Sequence, residues 1–168
     1  EDKKRVNLFA TLKAKKPNHK APIIFSGHTD VVPVSKGWSS DPFKATIKDD
    51  KLYGRGSCDM KGFIACVLAF APIFSKSNLD RDINFSFTFD EETACIGAPL
   101  LIDELKKRGF NKGICIVGEP TNMKIIDAHK GAYEYTTYFE GLAGHSSQPH
   151  KGVSAVEYAA RYVNKLIE

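Results

Sequence analysis

The sequence predicts an α/β fold, with a mostly parallel central sheet flanked by helices over residues 1–129 and the start of a smaller α+β unit over 130–168. Three observations predict it. First, the chain carries three short, near-continuous apolar runs: IIF at 23–25, INFSFTF at 83–89 and ICIV at 114–117. Such runs belong to strands buried on both faces. Second, helix patterns lie between them, MKGFIACVLAFAPIF at 60–74 and APLLIDELKKRG at 98–109, and alternation of strand with helix favours a parallel sheet. Third, the pattern changes after Lys130 to GAYEYTTYFEG, alternating aromatic and polar residues.

In chain order, EDKKRVNLFATLKA opens directly on a strand pattern without a lead-in element. Each of the three apolar runs then ends in small or polar residues followed by acid or histidine: SGHTD, DEET and GEPT. Ligands of such sheets bind beyond the carboxyl ends of the strands, so these polar groups are expected to converge. The alternation at 131–141 predicts a half-exposed antiparallel strand. The loop LAGHSSQPHKG leads from it into a helix, SAVEYAARYVNKLIE, with Ala155, Ala159, Tyr162, Val163 and Leu166 on one face. That helix pattern is cut off without a cap, and both ends read as a piece of a longer chain.

Composition excludes several classes of function. With 168 residues, 42% hydrophobic and 26% charged, the chain is long enough for a core and ordinary for a globular protein. Its net charge of +4 comes from lysines scattered along the chain, with no basic block interleaved with aromatics, so nucleic acid is not an expected partner. No apolar run reaches the length of a membrane span. Cys58, Cys66, Cys95 and Cys115 form no C-x-x-C pair. They are expected to be reduced, buried thiols of a cytoplasmic protein.

The chemistry-bearing residues are ambiguous one by one. His28 and Asp30 form H-x-D, which suits a metal-binding imidazole oriented by a carboxylate and equally an ordinary surface turn. Asp59, in YGRGSCDMKG, is a ligand or a helix N-cap. Asp90, Glu91 and Glu92 are three mutually repelling acids that call for compensation, or solvated acids favoured by the dipole of the following helix. Glu119 ends a strand as the others do. Together they form an oxygen-rich set with one imidazole, suited to zinc, cobalt or manganese, and its excess of carboxylates exceeds what one zinc needs.

These residues sit in six ordered motifs, SGHTDVVPV, WSSDPF, LYGRGSCDMKGF, DEETACIGA, VGEPTN and GHSSQPHKGVSA. In them the sequence resembles the M20 metallopeptidases and, within them, the acetylornithine deacetylases, from Val6 onward. The resemblance implies a zinc-peptidase-like catalytic domain, a lid or dimerisation domain from residue 130, and two divalent ions, zinc or cobalt. His28 would bind the first ion, Asp59 would bridge both, Glu119 would complete the first site and Glu92 would belong to the second. Asp30 would orient His28, Glu91 would act as general acid and base, and His145 would stabilise the tetrahedral intermediate across a homodimer. His19, His129 and His150 have no such support.

The implied reaction is hydrolysis of an N-acyl amino acid, N-acetylornithine to ornithine and acetate in arginine biosynthesis. Succinyl-diaminopimelate desuccinylases share H-x-D, the GRG-x-x-DMKG segment and the Glu pair, so succinyl-diaminopimelate, or another acyl-amino acid or peptide, is the alternative substrate. Family members are longer and supply a further histidine to the second ion after the lid. The competing expectations are therefore an inactive fragment that folds and holds one metal, or a dimerisation module.

Overall fold

The computed structural model of the protein describes residues 5–16 and 18–168. The first four residues of the expected opening strand pattern lie outside the described residues. The chain forms two compact units, one ending at Ile125 and the other spanning Ile126–Glu168.

The first unit is built on a four-stranded sheet in the order β1-β5-β2-β6. Its strands are β1 (Leu8–Leu12), β2 (Ile23–His28), β5 (Ile83–Thr88) and β6 (Ile114–Val117). Strands β5, β2 and β6 run parallel, with Ile23 of β2 opposite Ile83 on one side and Ile114 on the other. Strand β1 pairs antiparallel on the outside of β5, Leu8 facing Phe87 and Leu12 facing Ile83. Helices α1 (Lys61–Lys76) and α2 (Gly97–Lys107) occupy the two expected helical segments.

Strand β5 is buried along its whole length. Its Ile83, Phe85 and Phe87 pack with Ile64 and Val67 of α1, and Phe25 stacks between Phe74 and Phe85 with ring centroids 6.0 and 6.4 Å apart. On the alternate positions sit buried polar groups that satisfy each other: Thr11 donates to Asn84 Oδ1 at 2.7 Å and Asn84 Nδ2 donates to the Ile23 carbonyl at 3.3 Å. Buried polar atoms so paired avoid the desolvation penalty of orphaned ones.

Four findings depart from the sequence expectations. Strand β6 is exposed rather than buried on both faces, Ile116 retaining 43% of its surface, because it is an edge strand among the described residues. A hairpin, β3 (Thr46–Lys48) with β4 (Lys51–Tyr53), was not expected. It turns at Asp49 and Asp50, both with positive φ, as a type I′ hairpin turn requires. The four cysteines are free and exposed. Apolar sequence neighbours do not determine which side of an element a thiol occupies.

The fourth departure is in the second unit, where residues 131–141 form no strand. Alternation supplies two faces, but a strand also needs a ladder partner, and among the described residues the pairing is confined to one bridge, Leu142 with Val153. Helix α3 (Ala155–Ile167) does form, its N-cap Ser154 accepting from the Glu157 N–H at 3.2 Å. Of the expected face, Ala155 and Ala159 are half-buried and Tyr162 meets Phe139 edge-on at 5.5 Å, whereas Val163 and Leu166 are exposed. No described helix is long and apolar enough to cross a membrane.

Candidate metal centre

Because β5, β2 and β6 are parallel, their carboxyl ends open on the same edge of the sheet. The central strand β2 ends at His28, β5 leads into the turn holding Glu91 and Glu92, and β6 leads through Gly118 to Glu119. Strand order alone therefore sets His28 between the acids of its two neighbours. The fourth group, Asp59, comes from the loop before α1.

The distances bear this out. His28 Nε2 lies 3.1 Å from Asp59 Oδ1, 3.7 Å from Glu119 Oε1 and 3.8 Å from Glu91 Oε2. Two sets have ligand atoms all within 4.8 Å of one another: His28 with Asp59 and Glu119, and His28 with Glu91 and Glu92. Asp59 does not cap α1, whose N-cap is Met60 without a side-chain cap bond.

Close approach is possible because glycines leave room for a neighbouring ring and a neighbouring backbone. A Cβ on Gly118 would lie 2.0 Å from Phe63 Cγ, and one on Gly62 would lie 2.2 Å from the Ser57 carbonyl oxygen. Any side chain there would displace Glu119 or the loop carrying Asp59. Met60, fully buried, underlies the centre and accepts a hydrogen bond from the His28 backbone N–H at 3.2 Å.

Asp30 holds two parts of the centre. Its carboxylate accepts the backbone N–H groups of Glu91 at 3.2 Å and Glu92 at 3.0 Å. Its carbonyl lies 3.1 Å from His28 Nδ1, with its carboxylate slightly further at 3.5 Å. Burial alone would raise the Asp30 carboxyl, but the Glu92 and Glu91 N–H groups outweigh it and hold the carboxyl below its ordinary range.

These contacts determine the chemistry of the imidazole. Nδ1 faces oxygen acceptors only, so it carries a proton. Nε2 faces carboxylates only, so it either carries a second proton or directs its lone pair at a cation held between them. Burial opposes charge on His28, yet Asp59, the Asp30 carbonyl, Glu119 and Glu91 together raise its pKa above the ordinary value. Burial pushes Glu119 up as well, aided by the negative charge of Asp59.

Among the described residues, the ion pairs of Asp59, Glu91 and Glu119 run to His28 alone. One imidazole cannot neutralise these three carboxylates and the neighbouring Glu92. One nitrogen and several oxygen donors, short of positive charge, suit a divalent cation, and the contact of Asp30 with His28 Nδ1 is of the kind that orients a histidine where it ligates a metal.

All six residues expected in the first unit, His28, Asp30, Asp59, Glu91, Glu92 and Glu119, are thus brought together. His145 belongs to the second unit, where its Nδ1 accepts the Ser147 N–H at 3.2 Å and lies 2.8 Å from Ser147 Oγ. That bond leaves Nε2 as the protonated, exposed nitrogen. Sequence reading did not find Arg5, which pairs with Asp90. The signal was the uncompensated run of acids, but nothing in the sequence pointed to a partner 85 positions away.

The profile of Peptidase family M20/M25/M40 matches residues 24–167. The chain is 42% identical over 136 residues to an acetylornithine deacetylase of Pasteurella multocida, covering 80% of this chain and 35% of the relative. It is 39% identical over 167 residues to an acetylornithine deacetylase of Proteus mirabilis, covering 99% of this chain and 41% of the relative. The chain therefore spans well under half the length of these relatives. Among solved structures, human carnosine dipeptidase 1 aligns with a TM-score of 0.53 and 30% identity, covering 66% of this chain and 24% of that one. The M20 family metallo-carboxypeptidase Sso-CP2 of Sulfolobus solfataricus aligns with a TM-score of 0.56 and 25% identity, covering 67% and 25%. The sheet order, the acids at its strand exits and these matches lead to one conclusion: the chain belongs to peptidase family M20/M25/M40.

Proposed function

We propose that the protein acts in metal-dependent hydrolysis of the amide bond of an N-acyl amino acid, with N-acetylornithine as the substrate. The observation that carries this reading is the meeting of His28 with carboxylates from three sides, Asp59, Glu91 and Glu119, with no Lys or Arg of the described residues among their ion pairs. The acetylornithine deacetylases among the relatives support the choice of acyl group.

His28, Asp59 and Glu119 would hold one ion and Asp59 with Glu92 would hold a second, zinc or cobalt in each case. Bound there, divalent ions polarise a carbonyl and make water acidic enough to attack it at neutral pH. Glu91 takes the proton of the attacking water on its carboxylate and delivers it to the departing amine nitrogen. Asp30 keeps that carboxylate in place through the Glu91 N–H and keeps the Nδ1 proton of His28 fixed through its carbonyl. His145 offers an Nε2–H to the oxygen on which charge develops, from the partner subunit of a homodimer. The four free thiols suit a reducing, cytoplasmic setting.

The test is turnover by the purified protein of N-acetylornithine, N-succinyl-diaminopimelate and a panel of other N-acyl amino acids, with and without chelator. The expected result is chelator-sensitive hydrolysis with N-acetylornithine preferred. Metal binding without hydrolysis of any of these would overturn the reading in favour of a folded, metal-holding but inactive chain.

A further inference from the structure

The turn that carries Glu91 and Glu92 is held in an unusual backbone shape. Asp90, Ala94 and Cys95 all have positive φ, 56°, 145° and 55°, a region that residues with a Cβ rarely adopt and that persists only where surroundings enforce it. Asp30 grips the turn from inside the centre. The outer side is gripped by the segment leading into β1.

Two contacts make that outer grip. Arg5 pairs with Asp90, and Asn7 Nδ2 donates to the Gly97 carbonyl at 2.8 Å. The Gly97 N–H in turn donates to the Phe89 carbonyl at 3.2 Å, closing residues 89–97 into a ring. The fit at its base is tight: a Cβ on Gly97 would lie 2.4 Å from the Phe89 oxygen and 2.8 Å from Asn7 Oδ1. The pairing register explains why Arg5 meets Asp90. Leu8 faces Phe87 in the antiparallel pair, so three residues outward along each chain bring Arg5 opposite Asp90.

The charge balance gives the pair its consequence. The Asp90 side chain retains 11% of its surface and the Arg5 side chain 63%. Removing the guanidinium would open no cavity, but it would leave a buried carboxylate without its ion pair among the described residues, beside two further acids, which is strongly unfavourable. The turn would then relieve itself by moving, and Glu91 and Glu92 would move with it.

We propose that Arg5 is a positioning residue for the acidic turn: by pairing with Asp90 it fixes where Glu91 and Glu92 present their carboxylates. This rests on the reading of Glu91 and Glu92 as proton carrier and ligand. The test compares the parent protein with Arg5→Ala, Arg5→Lys, Asp90→Asn and the double variant Arg5→Ala/Asp90→Asn. Cobalt(II) affinity by calorimetric titration, thermal unfolding without metal, and kcat and KM for N-acetylornithine are the readouts.

Arg5→Ala should weaken cobalt binding by about tenfold, the low end of what losing support outside the ligands costs, and lower kcat more than it changes KM. Arg5→Lys should recover most of the affinity, and the double variant should bind no more weakly than Asp90→Asn alone. Parent cobalt affinity and kcat in Arg5→Ala, with only the unfolding temperature lowered, would overturn the proposal. If Arg5→Ala does not fold, Arg5→Lys decides: affinity below the parent but above Asp90→Asn supports the proposal, and affinity no better than Asp90→Asn overturns it. Glu91→Gln, measured alongside, separates the two readings. Full turnover in Glu91→Gln defeats the role of Glu91, whereas an inactive Glu91→Gln beside an unaffected Arg5→Ala defeats only the role of Arg5.

Discussion

Asp30→Asn tests the hold on the acidic turn with almost no change of shape. The carboxylate accepts two backbone N–H groups, from Glu91 at 3.2 Å and Glu92 at 3.0 Å. An amide has one acceptor oxygen, so one N–H would face an NH2 group and the other would bond a neutral acceptor. Hydrogen bonds to charged groups contribute about 1.5–3 kcal/mol. The side chain retains 22% of its surface, which places the expected loss at about 2 kcal/mol near neutral pH.

The sign of the pH dependence follows from the lowered carboxyl of Asp30, whose ordinary value is 3.8. A group depressed in the folded state contributes stability above its unfolded pKa and loses it as pH falls through the folded pKa. The difference between parent and Asp30→Asn should therefore be full at neutral pH and shrink below the carboxylate range. Other acids titrate in both proteins, so the difference isolates Asp30. Urea unfolding at neutral pH and in the acid limb, with chelator present, measures it. Equal stability of the two proteins at neutral pH, or a gap that stays constant into the acid limb, would refute the reasoning.

Two further substitutions probe the scaffold. Gly118→Ala would set a methyl 2.0 Å from the Phe63 ring; overpacking of this kind costs about 1–3 kcal/mol, and the displaced Glu119 should weaken metal binding in calorimetry as well as lower the unfolding temperature. Ser154→Ala removes the N-cap bond to Glu157 and should cost about 1 kcal/mol, read as faster amide exchange in the first turn of α3 with metal affinity unchanged.

Much of the centre was legible because its logic is that of parallel strands. Apolar runs located β2, β5 and β6, and the polar residue after each run is brought to a common edge by their shared direction. His28 sits in the middle because β2 does, a fact of strand order that no run of letters contains. Local patterns failed where structure depends on distant partners. The alternation at 131–141 announces two faces but supplies no neighbouring strand. The apolar run of β6 resembles that of β5, yet among the described residues β5 has a strand on each side and β6 on one side. Asp49 and Asp50 make a hairpin turn without the glycine that would have advertised it. Arg5 and Asp90 meet through the register of β1 on β5, so the compensation of the acid run could be anticipated but its source could not.

The division of labour between Glu91 and Glu119 is the central claim, since both lie within 4 Å of His28 Nε2. The most direct test measures bound cobalt and N-acetylornithine turnover in Glu91→Gln and Glu119→Gln of the purified protein. Glu91→Gln should keep its metal and lose turnover by about 10²–10⁴-fold, the contribution of a positioned proton carrier, whereas Glu119→Gln should lose metal affinity itself. Turnover surviving in Glu91→Gln, or equal loss of metal from both variants, would contradict the account.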